Sequence, residues 1–205
     1  MVRQQALIEH QQALSECRLC PQMIPPVILG PPVVAKILLV GQAPGIREGE
    51  LARPFAWTAG KTLFKWLQTI GMDEASVRQQ VYISAVCRCF PGKKPKGGDR
   101  VPDKAEIAHC APWLNREIEL LQPALIIPVG KLAIQQFLSL SKLVEVIGQQ
   151  FRRDINGVAT VIIPLPHPSG ASTWHQMAPG KTLLKQALNL IQQQPAWQKL
   201  VSDIA

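Results

Sequence analysis

The sequence predicts an α/β protein, a three-layer sandwich with a central, mainly parallel four-stranded sheet. Two observations carry this expectation. Four short apolar runs containing β-branched residues are spread along the chain, and stretches of helical periodicity lie between them. Strands that alternate with helices imply parallel crossovers, and a parallel sheet of that kind is covered on both faces.

Taken in order, a helical N-terminal segment leads to Cys17, and the first strand is Ile37–Val40, closed by Gly41. Ala59–Ile70 reads as a helix because Leu63, Leu67 and Ile70 recur on one face. Val81–Val86 is the second strand. Asp103–Leu121 opens on an acidic cap and carries Ile107, Leu114, Ile118 and Leu121 at helical spacing. Leu125–Val129 is the third strand and Lys131–Leu138 the helix after it; Val158–Leu165 is the last strand and Lys181–Gln194 the final helix. With no internal repeat and no linker, residues 1–205 read as a single domain.

Ligands of such sheets bind beyond the carboxyl ends of the strands. Two segments meet that criterion: Gly41-Gln42-Ala43-Pro44-Gly45 after the first strand and His167-Pro168-Ser169 after the last.

Composition narrows the class. A chain of 205 residues with 47% hydrophobic content buries a real core and is not disordered. The first sixteen residues include Arg3, Glu9, His10 and Glu16, so they lack the apolar centre of a signal peptide. The longest apolar stretches, such as Ala124–Val129, are too short to span a bilayer. These features predict a soluble, cytoplasmic protein. Lys and Arg number 22 against 14 Asp and Glu, a formal charge of +8 that favours polyanions, with nucleic acid the commonest of them. Part of the charge is local, because Lys93, Lys94, Lys96 and Arg100 occupy a Pro- and Gly-rich stretch that reads as a mobile basic loop.

Five cysteines are present. Cys17 and Cys20 form a C-x-x-C pair, Cys89 follows the second strand, and Cys110 lies in the long helix. In a cytosolic chain this set suggests metal binding more than disulfides, and no strand precedes the pair as it would in a redox motif. Four thiolates suit zinc and iron–sulfur centres alike, and spacing alone does not separate them. Cys87, two residues before Cys89, shares its face in an extended strand, so either one can be the ligand on spacing alone.

Several motifs together resemble the iron–sulfur uracil-DNA glycosylases of families 4 and 5. They are Gly41-Gln42-Ala43-Pro44-Gly45, Glu48, Arg53-Pro54-Phe55, Ala59-Gly60, the strand Val81–Val86 running on to Cys89, and His167-Pro168-Ser169. The matches run in order over nearly the whole chain. The resemblance implies a 4Fe–4S cluster on Cys17, Cys20, Cys89 and Cys110, with alignment through Tyr82 and Ile83 favouring Cys89 over Cys87. It also implies hydrolysis of the N-glycosidic bond of uracil in DNA, after the base is flipped from the stack, by an enzyme that acts as a monomer. The cluster's implied part is structural.

The resemblance also implies roles. Phe55 stacks on the pyrimidine, and His167 stabilises the charge that grows on the uracil oxygen as the bond breaks. Ser169 contacts a phosphate, the backbone of Gln42 and Ala43 meets the base, and Gly41 and Gly45 let DNA approach. Glu48 is the candidate for orienting water or the sugar cation. The sequence departs from the family at three places. Ala43 stands where better-known glycosylases carry Asp, and Gln42 where family 4 often has Glu. Ala85 stands where family 4 has an Asn that reads the uracil edge, and family 5 shares the alanine. Losing a bidentate contact of that kind removes about 1–3 kcal/mol of discrimination, which predicts weaker selectivity for uracil over other deaminated bases. Trp174 and Met177, in the loop after His167, are the candidates to fill the gap left by the flipped base. The rival reading is a metal-stabilised DNA-binding module that has lost catalysis.

Overall fold

Ile37, Leu38, Leu39 and Val40 are all fully buried, as are Leu125, Ile126 and Ile127. Strands without an exposed face require cover on both sides, and the computed structural model, which describes residues 2–170 and 172–203, supplies it with helices. The strands are β1 (Ile37–Gly41), β2 (Tyr82–Ala85), β3 (Leu125–Pro128), β4 (Phe151–Ile155) and β5 (Val158–Ile162). The helices are α1 (Val2–Ser15), α2 (Ile46–Leu51), α3 (Thr58–Gln68), α4 (Glu74–Gln80), α5 (Lys104–Leu121), α6 (Lys131–Ile134), α7 (Gly180–Gln192) and α8 (Pro195–Ser202).

The strands lie in the order β2-β1-β3-β5-β4, with β2, β1, β3 and β5 parallel and β4 antiparallel to β5. The four expected strands are therefore present, and the sheet has a fifth. The hairpin β4–β5 turns on Asn156-Gly157, both with positive φ (54° and 76°), the pair that two-residue hairpins favour. The strand β4 carries exposed Arg152, Arg153 and Asp154, charges that protect a sheet edge from pairing with other chains. The last run also stops short of expectation. The strand β5 ends at Ile162, and the chain then rejoins β3 only through a bridge between Val129 and Leu165.

Helix ends follow local chemistry. Asp103 accepts from the backbone N–H of Glu106 (2.9 Å), while Glu106 accepts from the N–H of Asp103 (2.8 Å), a reciprocal cap that starts α5. Buried Leu63, Phe64 and Leu67 form the inward stripe of α3, and Leu184, Leu188 and Ile191 that of α7. Trp197 of α8 is fully buried and donates from Nε1 to the carbonyl of Ile70 (3.0 Å).

Behind β2 lies a buried polar network. Glu117 of α5 accepts from Tyr82 Oη (2.8 Å), from Ser84 Oγ (2.8 Å) and from the guanidinium of Arg88, and His10 Nε2 of α1 stands 3.8 Å from it. Gln11 of α1 donates to Tyr82 Oη (3.0 Å). Glu117 has no solvent exposure, yet Arg88 and the hydroxyl donors hold its carboxyl below the usual range against the cost of burial. Removing one partner of such a pair leaves the other buried and uncompensated. Glu117→Ala is accordingly expected to lose about 3–5 kcal/mol of stability, read as a lowered urea midpoint; a midpoint like that of the wild type would refute a structural role for the network.

Candidate active site

The carboxyl ends of β1 and β2 open into a cavity of about 700 Å³. Its walls include Gly41, Gln42, Ala43 and Gly45 from the loop after β1, Glu48 of α2, Phe55, and Ala85 at the end of β2. His167 and Ser169 line it from beyond β5. All nine candidate substrate and catalytic residues therefore meet in one space. The four cysteines lie in a different one.

Phe55 occupies an unusual backbone position, with φ of +52°, a left-handed conformation that costs a bulky residue energy. Three sets of contacts hold it. Arg78 of α4 donates to the carbonyls of Pro54 and Phe55, each at 3.0 Å. Glu48 accepts from Ala56 N–H (3.1 Å) with one oxygen and from Gly45 N–H (2.6 Å) with the other. Gly60 presses so closely that a Cβ there would stand 1.7 Å from the Phe55 carbonyl oxygen. The result lays the ring against Gly41, where a Cβ would meet Phe55 Cζ at 2.8 Å. The spacing from Arg53-Pro54-Phe55 to Ala59-Gly60 thus has a physical reason: the glycine admits the turn that delivers the ring.

Glu48 is consequently a clamp between the Gly41–Gly45 loop and the Phe55 turn. Burial pushes its carboxyl above the usual range, opposed by the N–H groups of Gly45, Ala56 and Phe55.

His167 is half-buried and accepts at Nδ1 from the backbone N–H of Ser169 (3.2 Å). Burial, and after it the charge of His175, hold its pKa below the ordinary imidazole value, with Asp99 opposing. A neutral ring that accepts at Nδ1 carries its proton on Nε2, so the group offers an uncharged N–H donor at neutral pH. Ala85 brings only a methyl group to the base edge of the cavity, while its neighbour Ser84 turns its hydroxyl back to Glu117.

Several groups around the cavity escaped the sequence reading. Trp57, 46% exposed on the cavity wall, lies under two cations, Arg47 (5.6 Å) and Lys61 (5.5 Å). Asp99 also lines the cavity. The segment around it, expected as a mobile loop, is a small closed turn: the backbones of Lys93 and Asp99 pair as an antiparallel β-bridge, and Arg100 N–H donates to the carbonyl of Gly92 (2.8 Å). Arg100 itself is committed, with two bonds to Glu106 (2.8 and 2.6 Å) and one to the Pro91 carbonyl (2.7 Å). Of the four basic residues in that stretch, the three lysines are exposed. Trp174 packs partly buried, its carbonyl oxygen 2.0 Å from where a Cβ on Gly180 would stand, whereas Met177 is 64% exposed. Ala171, in the same loop, lies outside the described residues.

Cys17, Cys20, Cys89 and Cys110 line a second cavity of about 200 Å³, together with Arg88. Burial raises the Cys89 pKa to about 11, and the charges of Cys110, Cys17 and Cys20 add to it. Cys20 is likewise raised to about 11, chiefly by burial and by Cys110. Thiolates that repel one another in this way fit a cationic centre among them. Cys87 is fully buried in the core and does not line the cavity; its proximity to Cys110 lowers the pKa of that thiol to about 6. Among the described residues, no three or more His, Cys, Asp or Glu side chains converge closely enough to hold a single metal ion. The expected four-thiol centre is thus met as a shared cavity, not as a formed single-ion site.

A mainly parallel α/β sheet with a cavity of about 700 Å³ at its strand ends, walled in part by Phe55 and His167, defines an α/β protein with a ligand pocket where such sheets carry one. The model of the uracil DNA glycosylase superfamily matches residues 27–192, and the chain belongs to that superfamily. It is similar to the type-4 uracil-DNA glycosylase of Sulfurisphaera tokodaii, 31% identical over 143 residues, or 67% of this chain and 61% of that protein. The type-4 uracil-DNA glycosylase of Archaeoglobus fulgidus is 31% identical over 140 residues, 66% of each chain. The type-5 uracil-DNA glycosylase of Pyrobaculum aerophilum is 29% identical over 110 residues, 48% of this chain and 46% of that protein. The chain thus spans a little under two thirds of the length of the type-4 relatives it matches. Among the described residues, no helix is long and apolar enough to cross a membrane.

Proposed function

We propose that this protein is a DNA repair glycosylase that hydrolyses the N-glycosidic bond of uracil, and of other deaminated bases, in DNA. The observation that carries the reading is the pairing of the Phe55 ring with the His167 Nε2–H donor on one cavity. A base flipped from the stack enters the cavity and stacks on Phe55, against Gly41. The backbone of Gln42 and Ala43 borders it, with Gly41 and Gly45 giving DNA room to approach. As the bond to the sugar lengthens, negative charge grows on the uracil oxygen. His167 donates to that oxygen more strongly in the transition state than in the ground state, which is what lowers the barrier. Ser169 holds His167 through its N–H and offers its hydroxyl to a phosphate. Glu48 acts by holding Phe55 and the Gly41–Gly45 loop in register. Ala85 leaves the base edge without an amide partner, in keeping with a wider range than uracil alone.

DNA is held outside the pocket by Lys93, Lys94 and Lys96, with Trp57 and its two cations at the rim. Met177, free of the core, fills the gap left by the flipped base. Cys17, Cys20, Cys89 and Cys110 would hold a 4Fe–4S cluster. When bound, the cluster supplies no chemistry to the hydrolysis. It ties the N-terminal C-x-x-C segment to the residue after β2 and to α5. The protein acts as a monomer in the cytoplasm.

Release of base is tested with oligonucleotides carrying uracil, hypoxanthine or xanthine, single- and double-stranded, followed by alkaline cleavage of abasic sites. Wild type is expected to cut the uracil strand, and His167→Ala to do so about 10²–10³-fold more slowly. No cleavage of any substrate would leave the DNA-binding module as the reading. An unchanged rate in His167→Ala would remove the proposed donor. Protein purified without oxygen is expected to be brown, with iron and sulfide in equal amounts and no loss of colour in Cys87→Ala. A colourless zinc protein would contradict the cluster.

A further inference from the structure

The glycosylase reading leaves the attacking water without a base, and the carboxylates at the larger cavity narrow the choice. Among the described residues, Glu48 and Asp99 are the carboxylates that line it. Glu48 has both oxygens engaged by backbone N–H groups, which fixes them toward Gly45 and Ala56. Asp99 differs in each respect. Among the described residues its carboxylate has neither a hydrogen-bond nor an ion-pair partner, although Lys93, Lys94 and Arg100 share its loop. Its Oδ2 lies beside Gly45, 3.5 Å from where a Cβ on that residue would stand, which brings the carboxylate to the loop after β1.

The carrier of Asp99 is fixed. Lys94 N–H donates to the Gly98 carbonyl (2.9 Å), the backbones of Lys93 and Asp99 pair as an antiparallel β-bridge, and Arg100, the next residue, is locked onto Glu106 of α5. Phe55 and His167 line the same cavity as Asp99. One free carboxylate therefore faces the space that the Phe55 ring and His167 enclose.

We propose that Asp99 is the catalytic base that takes a proton from the hydrolytic water. This rests on the glycosylase reading. The bond between the sugar C1′ and the base nitrogen breaks, and both electrons leave with the base, whose oxygen His167 holds. Water oxygen bonds to C1′ as Asp99 takes one water proton. That proton then passes to the departing base or to solvent, which restores the carboxylate and leaves an abasic sugar. The other charged groups around this space are Arg47 and Glu48 of α2, Lys93, Lys94 and Arg100 of the basic loop, and His167.

The test compares single-turnover release of uracil by wild type, Asp99→Asn and Asp99→Ala. Affinity for DNA containing a stable abasic-site analogue and thermal unfolding are measured on the same proteins. Asp99 is exposed and makes no side-chain bond, so both variants are expected to fold and to bind the analogue as wild type does. Their single-turnover rates are expected to fall by about 10²-fold or more, the usual worth of a positioned base. Rates within a few-fold of wild type in both variants would overturn the assignment and leave the glycosylase reading standing. A rate loss matched by an equal loss of analogue binding would also overturn it, because Asp99 would then hold DNA and not water. Absence of release by wild type on every substrate would overturn both readings together.

Discussion

Glu117 is the constraint on which the rest of the structure depends. A carboxylate without solvent contact is tolerable only when every lone pair is answered, and here a tyrosine, a serine and an arginine answer it. Two of these partners reach the cavity walls. Ser84 precedes Ala85 at the base edge of the larger cavity, and Arg88 lines the smaller one beside Cys89. The network joins α1, β2 and α5, the same three parts of the chain from which the C-x-x-C pair and the other two cavity cysteines depart. One buried charge thus sets the distance between the pocket and the thiols.

On this frame the pocket is built by strain and by hydrogen bonds to backbone. Phe55 keeps its left-handed backbone because Arg78, Glu48 and Gly60 leave it no alternative. Preorganisation of this kind suits a reaction whose barrier is lowered mostly by charge stabilisation: the ring and the donor stand in position before the substrate arrives, and little has to move. Of the two carboxylates at the cavity, Glu48 is engaged by the backbone of the Phe55 turn and the Gly41–Gly45 loop, and Asp99 has no such bond.

Much of this was legible in the sequence. The four parallel strands announce themselves as apolar runs, because a strand buried on both faces admits little else. The cap at Asp103 and the stripe of α3 are equally local signals. The pocket residues were legible through the family resemblance of their motifs, and the Gly60 contact with Phe55 gives one of those spacings a physical reason. What escaped depends on tertiary context. The edge strand β4 alternates poorly and is charged, so its pattern resembles a loop, although Asn156-Gly157 before an apolar run was a usable hairpin signal. Glu117 looks like any helix-surface glutamate until its neighbours are known. Arg100 reads as one more cation of a basic loop, yet it is spent on Glu106. Asp99 lies among lysines, where charge counting averages it away, and only the fold brings it to the cavity.

The central claim is that the larger cavity receives a base turned out of DNA, with Phe55 beneath it and His167 at its oxygen. A crystal structure of the protein with an oligonucleotide carrying 2′-fluoro-2′-deoxyuridine, whose glycosidic bond resists cleavage, tests it most directly. The account predicts an extrahelical uracil stacked on Phe55, with a uracil oxygen in hydrogen-bond contact with His167 Nε2 and Asp99 on the side of C1′ open to water. A base still stacked in the DNA, or seated away from Phe55 and His167, would contradict it.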